Sequence, residues 1–172
     1  MYARKILTEY PEVKEARERT RVMREGEFRK WLIKNKPHNS VMTPIETATA
    51  TGVPDIFSCY QGDSIWLECK IAMTGPPRIR GTQYVYIKKL LEAGGKAKLV
   101  VQKLSQYTYK PIYVELYDAS VVMNTPLGLF RKIGQELELP KTIKPWYRWK
   151  YQVDDIDDLY LKLLVDITKF TC

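Results

Sequence analysis

Residues 52–70 read Gly-Val-Pro-Asp-Ile-Phe-Ser-Cys-Tyr-Gln-Gly-Asp-Ser-Ile-Trp-Leu-Glu-Cys-Lys. Two runs suited to strands, 55–60 and 65–71, flank Gln61-Gly62-Asp63-Ser64, and a Gly-Asp pair between such runs signals a hairpin. Pairing Gln61 with Ser64 sets Phe57 opposite Glu68 and Asp55 opposite Lys70. Opposed residues share a face of a sheet, as do residues two apart on one strand. Asp55, Glu68 and Lys70 then converge. A slip of one residue would send Asp55 to the other face, so the turn register decides the outcome.

Two carboxylates brought together repel, and a proton or a cation relieves them. Oxygen donors alone suit Mg²⁺ or Mn²⁺. Such an ion lowers the pKa of bound water and neutralises charge on a phosphate, while a nearby ammonium orients the attacking water or stabilises developing charge. Glu-X-Lys by itself is common on surface hairpins. Together with a basic surface the arrangement describes phosphodiester hydrolysis, and a Pro-Asp at hairpin distance weighs against the plain surface-hairpin reading.

Composition narrows the alternatives. The chain of 172 residues has a single histidine, His38, so a multi-histidine metal site is excluded. Cys59, Cys69 and Cys172 form no Cys-X-X-Cys pair, which argues against a cysteine zinc site and a disulfide framework and for a reducing compartment. No apolar run is long enough to span a bilayer and the amino terminus lacks a signal-peptide core, so a cytoplasmic protein without a membrane partner is expected. The formal charge of +8 points to a polyanion, nucleic acid before membrane surface. The charge is concentrated in residues 1–36, which carry eleven Lys/Arg against six Glu.

Pattern along the chain predicts a helix over 11–34, opened by Pro11 and ended near Asn35 and Pro37, with Val13, Ala16, Thr20, Met23 and Trp31 on one stripe. Residues 36–52 read as loop or irregular edge strand. A basic loop over 73–81 precedes a helix over 83–93 capped by Thr82. Strands follow at 97–104 and 108–117, then a helix from Thr125-Pro126 to about 137 and an amphipathic helix over 155–170. This is an α/β chain, a central mixed sheet flanked by helices, expected as one domain over 1–172. Its core covers about 11–118 and a C-terminal helical extension about 119–172.

Several further residues carry a functional reading beside a plainer one. Glu27 lies four residues from both Met23 and Trp31, on the apolar stripe, whereas Glu25 points away; Gly26 could instead break the helix and leave Glu27 solvated. Gln83 shares a face with Ile87, Leu90 and Leu91, as a satisfied core amide or as a site residue. Arg78 and Arg80 either clamp a phosphate or decorate a solvated loop. Residues 146–151, Trp-Tyr-Arg-Trp-Lys-Tyr, suit packing more than base stacking.

The pattern Gly52-Val53-Pro54-Asp55 with Glu68-Cys69-Lys70 resembles the PD-(D/E)XK nuclease superfamily, and within it the VRR-NUC and Holliday-junction-resolvase-like branches, with many phage and bacterial members. The likeness covers about residues 25–101, including the passage from Gln83 through Leu90 and Gly94 to Val101. It implies a restriction-endonuclease-like core of α-β-β-β-α-β type. It also implies Mg²⁺ (or Mn²⁺) held by Asp55, Glu68 and the Cys69 carbonyl, with Glu27 assisting, Lys70 positioning the nucleophile and Gln83 beside the site. Arg78 and Arg80 would contact the nucleic acid. The expected activity is DNA endonuclease cleavage, with RNA open. A junction- or flap-selective nuclease and a non-catalytic nucleic-acid-binding protein of the same fold are the alternatives. Apolar stripes on the terminal helices suit a homodimer as well as packing within the chain, and a phage-encoded member would work in the host cytoplasm.

Overall fold

The computed structural model describes residues 25–46 and 50–166. Residues 25–34 are helical (α1), without a break at Gly26. There follow β1 (Val41–Pro44), β2 (Ile56–Tyr60), β3 (Asp63–Ala72), β4 (Arg78–Arg80), α2 (Gly81–Glu92), β5 (Ala97–Leu104) and β6 (Pro111–Asp118). The remainder is α3 (Ala119–Asn124), a 3-10 turn (Leu127–Leu129), β7 (Arg131–Ile133), β8 (Glu136–Glu138), β9 (Tyr147–Lys150) and α4 (Ile156–Leu164). The main sheet has the order β1-β2-β3-β5-β6-β9, and only the β3–β5 pair is parallel. Parallel neighbours need a crossover, and the stretch carrying β4 and α2 provides it. Helix, three strands, helix, strand is the order expected, with β4 added before α2.

Every residue of β5 is buried, as befits a central strand covered on both faces. Val100 belongs to one core with Phe28, Leu32, Leu67, Leu116, Leu159 and Leu163. Leu99 and Val101 belong to the other, with Ile79, Ile87, Val122 and Leu137. Alternation along one strand thus assigns α1 and α4 to one layer and α2 and α3 to the other.

Two expectations change. The helix over 126–137 is a 3-10 turn and the hairpin β7–β8, which turns at Gly134 with φ +61° and pairs with β4. Gly128 and Gly134 disfavour a continuous helix there. The segment after 119 holds strands as well as helices, and β9 closes the main sheet. There Trp149 packs on Trp31 and Tyr151, so this aromatic is core. The start of the 11–34 helix, with Val13, Ala16, Thr20 and Met23, lies outside the described residues, as does the end of the 155–170 helix.

The last turn of α4 has carbonyls with no partner inside the helix. The buried Lys98 side chain supplies donors, its Nζ lying 2.6 Å from Lys162 O, 3.1 Å from Leu163 O and 2.6 Å from Val165 O. At the other end, the Asp155 carboxylate accepts from the Asp157 N–H at 3.0 Å. Lys98→Met keeps the stem and leaves buried acceptors unpaired, so urea unfolding should show a loss of about 2 kcal/mol or more. An unchanged midpoint would mean that α4 is held by its apolar stripe alone.

Candidate active site

The β2–β3 turn is Gln61-Gly62, with φ of +49° and +84°, the paired left-handed geometry of a two-residue hairpin loop. Tyr60 therefore pairs with Asp63, and the register runs to Ile56 with Leu67. One residue on, Asp55 comes opposite Glu68 instead of Lys70. The expected pairing is off by two positions, a shift that preserves the faces.

Pro54 ends β2, because it has no N–H to give to the ladder. Between Pro54 and the strand, the Asp55 carboxylate substitutes for a backbone acceptor: the Cys69 N–H donates to Asp55 Oδ2 at 2.8 Å. Gly52 brings this loop against the start of α2. Its φ is +86°, and a Cβ there would stand 2.2 Å from the Thr82 carbonyl oxygen. Only glycine tolerates both demands.

Glu68 has 0% of its surface exposed. Its Oε1 accepts from Lys70 Nζ at 2.7 Å and from Gln83 Nε2 at 2.5 Å. Gln83 is oriented in turn by the Arg80 N–H, which donates to Gln83 Oε1 at 2.9 Å. That bond replaces the Thr82 cap expected for α2. Burial pushes the Glu68 carboxyl up from 4.5 to about 8; Lys70 opposes the rise and Asp55 adds to it. Burial alone would lower the Lys70 ammonium, but Glu68 and Glu25 outweigh it and the net shift is upward. Burial, then Asp55 and Glu68, push the Cys69 thiol up, so its side chain is an inert part of the core.

Asp55, Glu68, Lys70 and Gln83 are thus brought together, with the Cys69 backbone between them. Glu27 is not: it is exposed, and Glu25 lies beside the cluster with Oε1 3.7 Å from Lys70 Nζ. The buried face of α1 is centred on Phe28 and Leu32, with Trp31 only at its flank. Positions 25, 28, 29 and 32 share that face, so a wheel anchored on Trp31 is turned too far. The same face carries Arg29, which sequence reasoning missed; its Nη1 lies 3.3 Å from Asp55 Oδ1. The four-residue step from Glu25 to Arg29 was the available signal. Arg78 is engaged by Glu138 at 3.2 Å and Glu136 at 3.7 Å in the small sheet, and the Arg80 contribution is its backbone. His38 is an exposed turn residue.

Among the described residues no three His, Cys, Asp or Glu side chains form a ready-made cation cage. The donor set around Asp55 and Glu68 nevertheless suits a hard cation. Glu68 Oε2 is buried without a hydrogen-bond partner, and an unpaired anionic oxygen in such a place calls for a proton or a cation. The donors are carboxylate and carbonyl oxygens, the set that Mg²⁺ and Mn²⁺ prefer.

No family model matches this chain, and no curated protein sequence does so. Its fold is similar to that of a Holliday junction resolvase, Hjc, from the archaeon Archaeoglobus fulgidus. That likeness has a TM-score of 0.46 and 10% identity, and covers 71% of this chain and 91% of the other.

Glu68 has a consequence for stability. A carboxyl whose pKa rises on folding favours the fold below its unfolded pKa and loses that contribution as pH rises through the folded value. With metal chelated, the urea midpoint should fall between about pH 4.5 and 8. Glu68→Gln, permanently neutral, should lack that fall. Parallel pH profiles for the two proteins would show that Glu68 ionises freely in the folded state.

Proposed function

We propose that this protein is a divalent-metal-dependent nuclease that hydrolyses phosphodiester bonds in DNA. The observation that carries the reading is Glu68: fully buried, bound through one oxygen to Lys70 and Gln83, opposite Asp55, with its second oxygen unpaired. A group used only to bind an anionic strand has no need of a buried carboxylate.

Asp55, Glu68 and the Cys69 carbonyl would hold Mg²⁺ or Mn²⁺. The carbonyl is suited to it: the paired register ends at Ile56 with Leu67, its extension by two residues would set Pro54 opposite Cys69, and proline has no ladder N–H to offer that carbonyl. When bound, the ion supplies Lewis acidity toward a phosphate oxygen and lowers the pKa of a coordinated water. Lys70, kept charged by Glu68 and Glu25, aligns the attacking water and stabilises charge developing on the phosphate. Gln83 fixes the Glu68 rotamer. Arg29 pairs with Asp55, and its guanidinium would be available to a substrate phosphate if that carboxylate held a cation. Glu25, and not Glu27, takes the place of the helix carboxylate. The charge of +8 supports a polyanionic substrate.

Purified protein with Mg²⁺ or Mn²⁺ should cut at least one of supercoiled, linear, single-stranded, flap or four-way-junction DNA, and EDTA or Asp55→Ala should abolish cutting. RNA belongs in the same panel. No metal-dependent product from any of them would leave a binding module with this fold. Lys70→Ala should lower turnover by about a hundredfold or more while calorimetry still detects metal. Glu68→Gln should weaken metal binding itself, and the opposite assignment of the two effects would overturn these roles.

The two helix carboxylates are separable. Glu25→Gln should reduce cleavage, and Glu27→Gln, on an exposed position, should not. The reverse result would mean that α1 turns on binding substrate.

A further inference from the structure

The sheet face that carries Lys70 holds a second charged cluster. Lys70 is paired with Val101 and Ala72 with Lys103; Val101 is paired with Glu115, Lys103 with Tyr113, and Glu115 with Arg148. Laterally paired residues share a face, so Lys103, Glu115 and Arg148 continue the row begun at Lys70. Two strand spacings separate Lys70 from Glu115, about 10 Å. Here the sheet floors an open hollow of about 590 Å³, walled by residues 73–76 and by the segment holding Lys141 and Lys144.

The chemistry of this hollow is opposite to that around Glu68. Its one carboxylate, Glu115, is satisfied: Oε1 accepts from Arg148 at 2.7 Å, and Oε2 from the Tyr117 hydroxyl at 2.8 Å with Lys103 3.8 Å away. Donors remain in excess. Arg148 has five N–H groups, is half exposed, and lies over the Tyr113 ring at 4.5 Å. Lys103 also donates to the Gly75 carbonyl. Lys141 and Lys144 stand exposed on the wall, with no ion pair to either among the described residues. Tyr107, 83% exposed, also lines the hollow. Four cations around one satisfied carboxylate favour an anion, and an exposed aromatic ring favours one that carries a base.

We infer that this hollow seats a backbone phosphate of a single nucleic-acid strand, a few nucleotides from the phosphate held at Asp55, Glu68 and Lys70. The inference rests on the nuclease reading for the second phosphate and names the substrate feature that the enzyme would hold: an unpaired strand leaving the site. Arg148 and Lys103 give the seat its fixed floor. Lys141 and Lys144 are its adjustable rim, and Tyr107 meets a base.

The test uses a fluorescent single-stranded DNA decamer, the full chain, and EDTA to prevent cutting. Lys141 and Lys144 lie outside the Glu115 network, so Lys141→Ala/Lys144→Ala should melt like wild type. Its affinity should fall by about tenfold, and its salt slope should flatten by about 0.7 for each phosphate that the variant no longer neutralises. Lys34→Ala/Lys88→Ala, removing two exposed lysines elsewhere, should change neither. Equal losses in both double variants, no loss in the first, or no binding of the decamer by wild type would overturn the inference. Inorganic phosphate binding as tightly as the decamer would also overturn it, in favour of a free-anion site. Selective loss in the first variant by a protein that cuts no substrate would uphold the strand seat and overturn the nuclease reading instead.

Discussion

A carboxylate with none of its surface open to water must be balanced from within the protein, and much of this fold answers that demand at Glu68. Lys70, two residues along the same strand, supplies a charge at 2.7 Å; Gln83 supplies an amide from the first turn of α2. Breaking such a buried pair by removing one partner typically costs about 3–5 kcal/mol. That pair lies within β3, and it is the Gln83 amide on the same carboxylate that ties the start of α2 to the strand. Gln83 also serves as the cap of its own helix, through the Arg80 N–H. One side chain thus links helix initiation to site geometry, and a disturbance of either is felt by the other.

The backbone meets the same demand by omission. Pro54 cannot donate to β3, so the ladder stops where Asp55 begins, and the Asp55 side chain takes up the Cys69 N–H that would otherwise be orphaned. Gly52 has no Cβ to collide with the Thr82 carbonyl, which lets the loop before Asp55 lie against the helix that delivers Gln83. The glycine, proline and aspartate of residues 52–55 therefore have separate tasks: close approach, ladder termination and carboxylate placement. All three are backbone requirements before they are chemical ones.

These requirements explain what the sequence made legible. Strand alternation and the turn signal located Asp55, Glu68 and Lys70 on one side of a hairpin, because parity survives a two-residue error in register. The turn itself was misplaced because Asp63 looked like a loop residue. It is instead buried at 3% at the start of β3, and no local pattern announces a buried aspartate. Glu25 and Arg29 were missed for a different reason. An apolar stripe gives a helix face only to within about one position, and Phe28 and Leu32 weigh more in the packing than Trp31 does. The β7–β8 hairpin was unreadable as strand, since three-residue strands carry almost no period and owe their pairing to β4, distant in sequence. The hollow at Glu115 left no trace at all, because its members come from β5, β6, β9 and the loops between them.

The two charged clusters on this sheet face differ in what each lacks. At Glu68 there is an acceptor without a donor, and around Glu115 there are donors in excess of acceptors. The first arrangement is relieved by a cation and the second by an anion. Val101, which stands between Lys70 and Glu115 in that row, is apolar and buried under α2. The sheet thus holds the two imbalances apart by a distance it cannot shorten. A ligand that spans them must bring a cation-binding oxygen at one end and a negative charge about 10 Å on. A polyphosphodiester strand with its metal ion meets that description, whereas a single small anion could satisfy only one end.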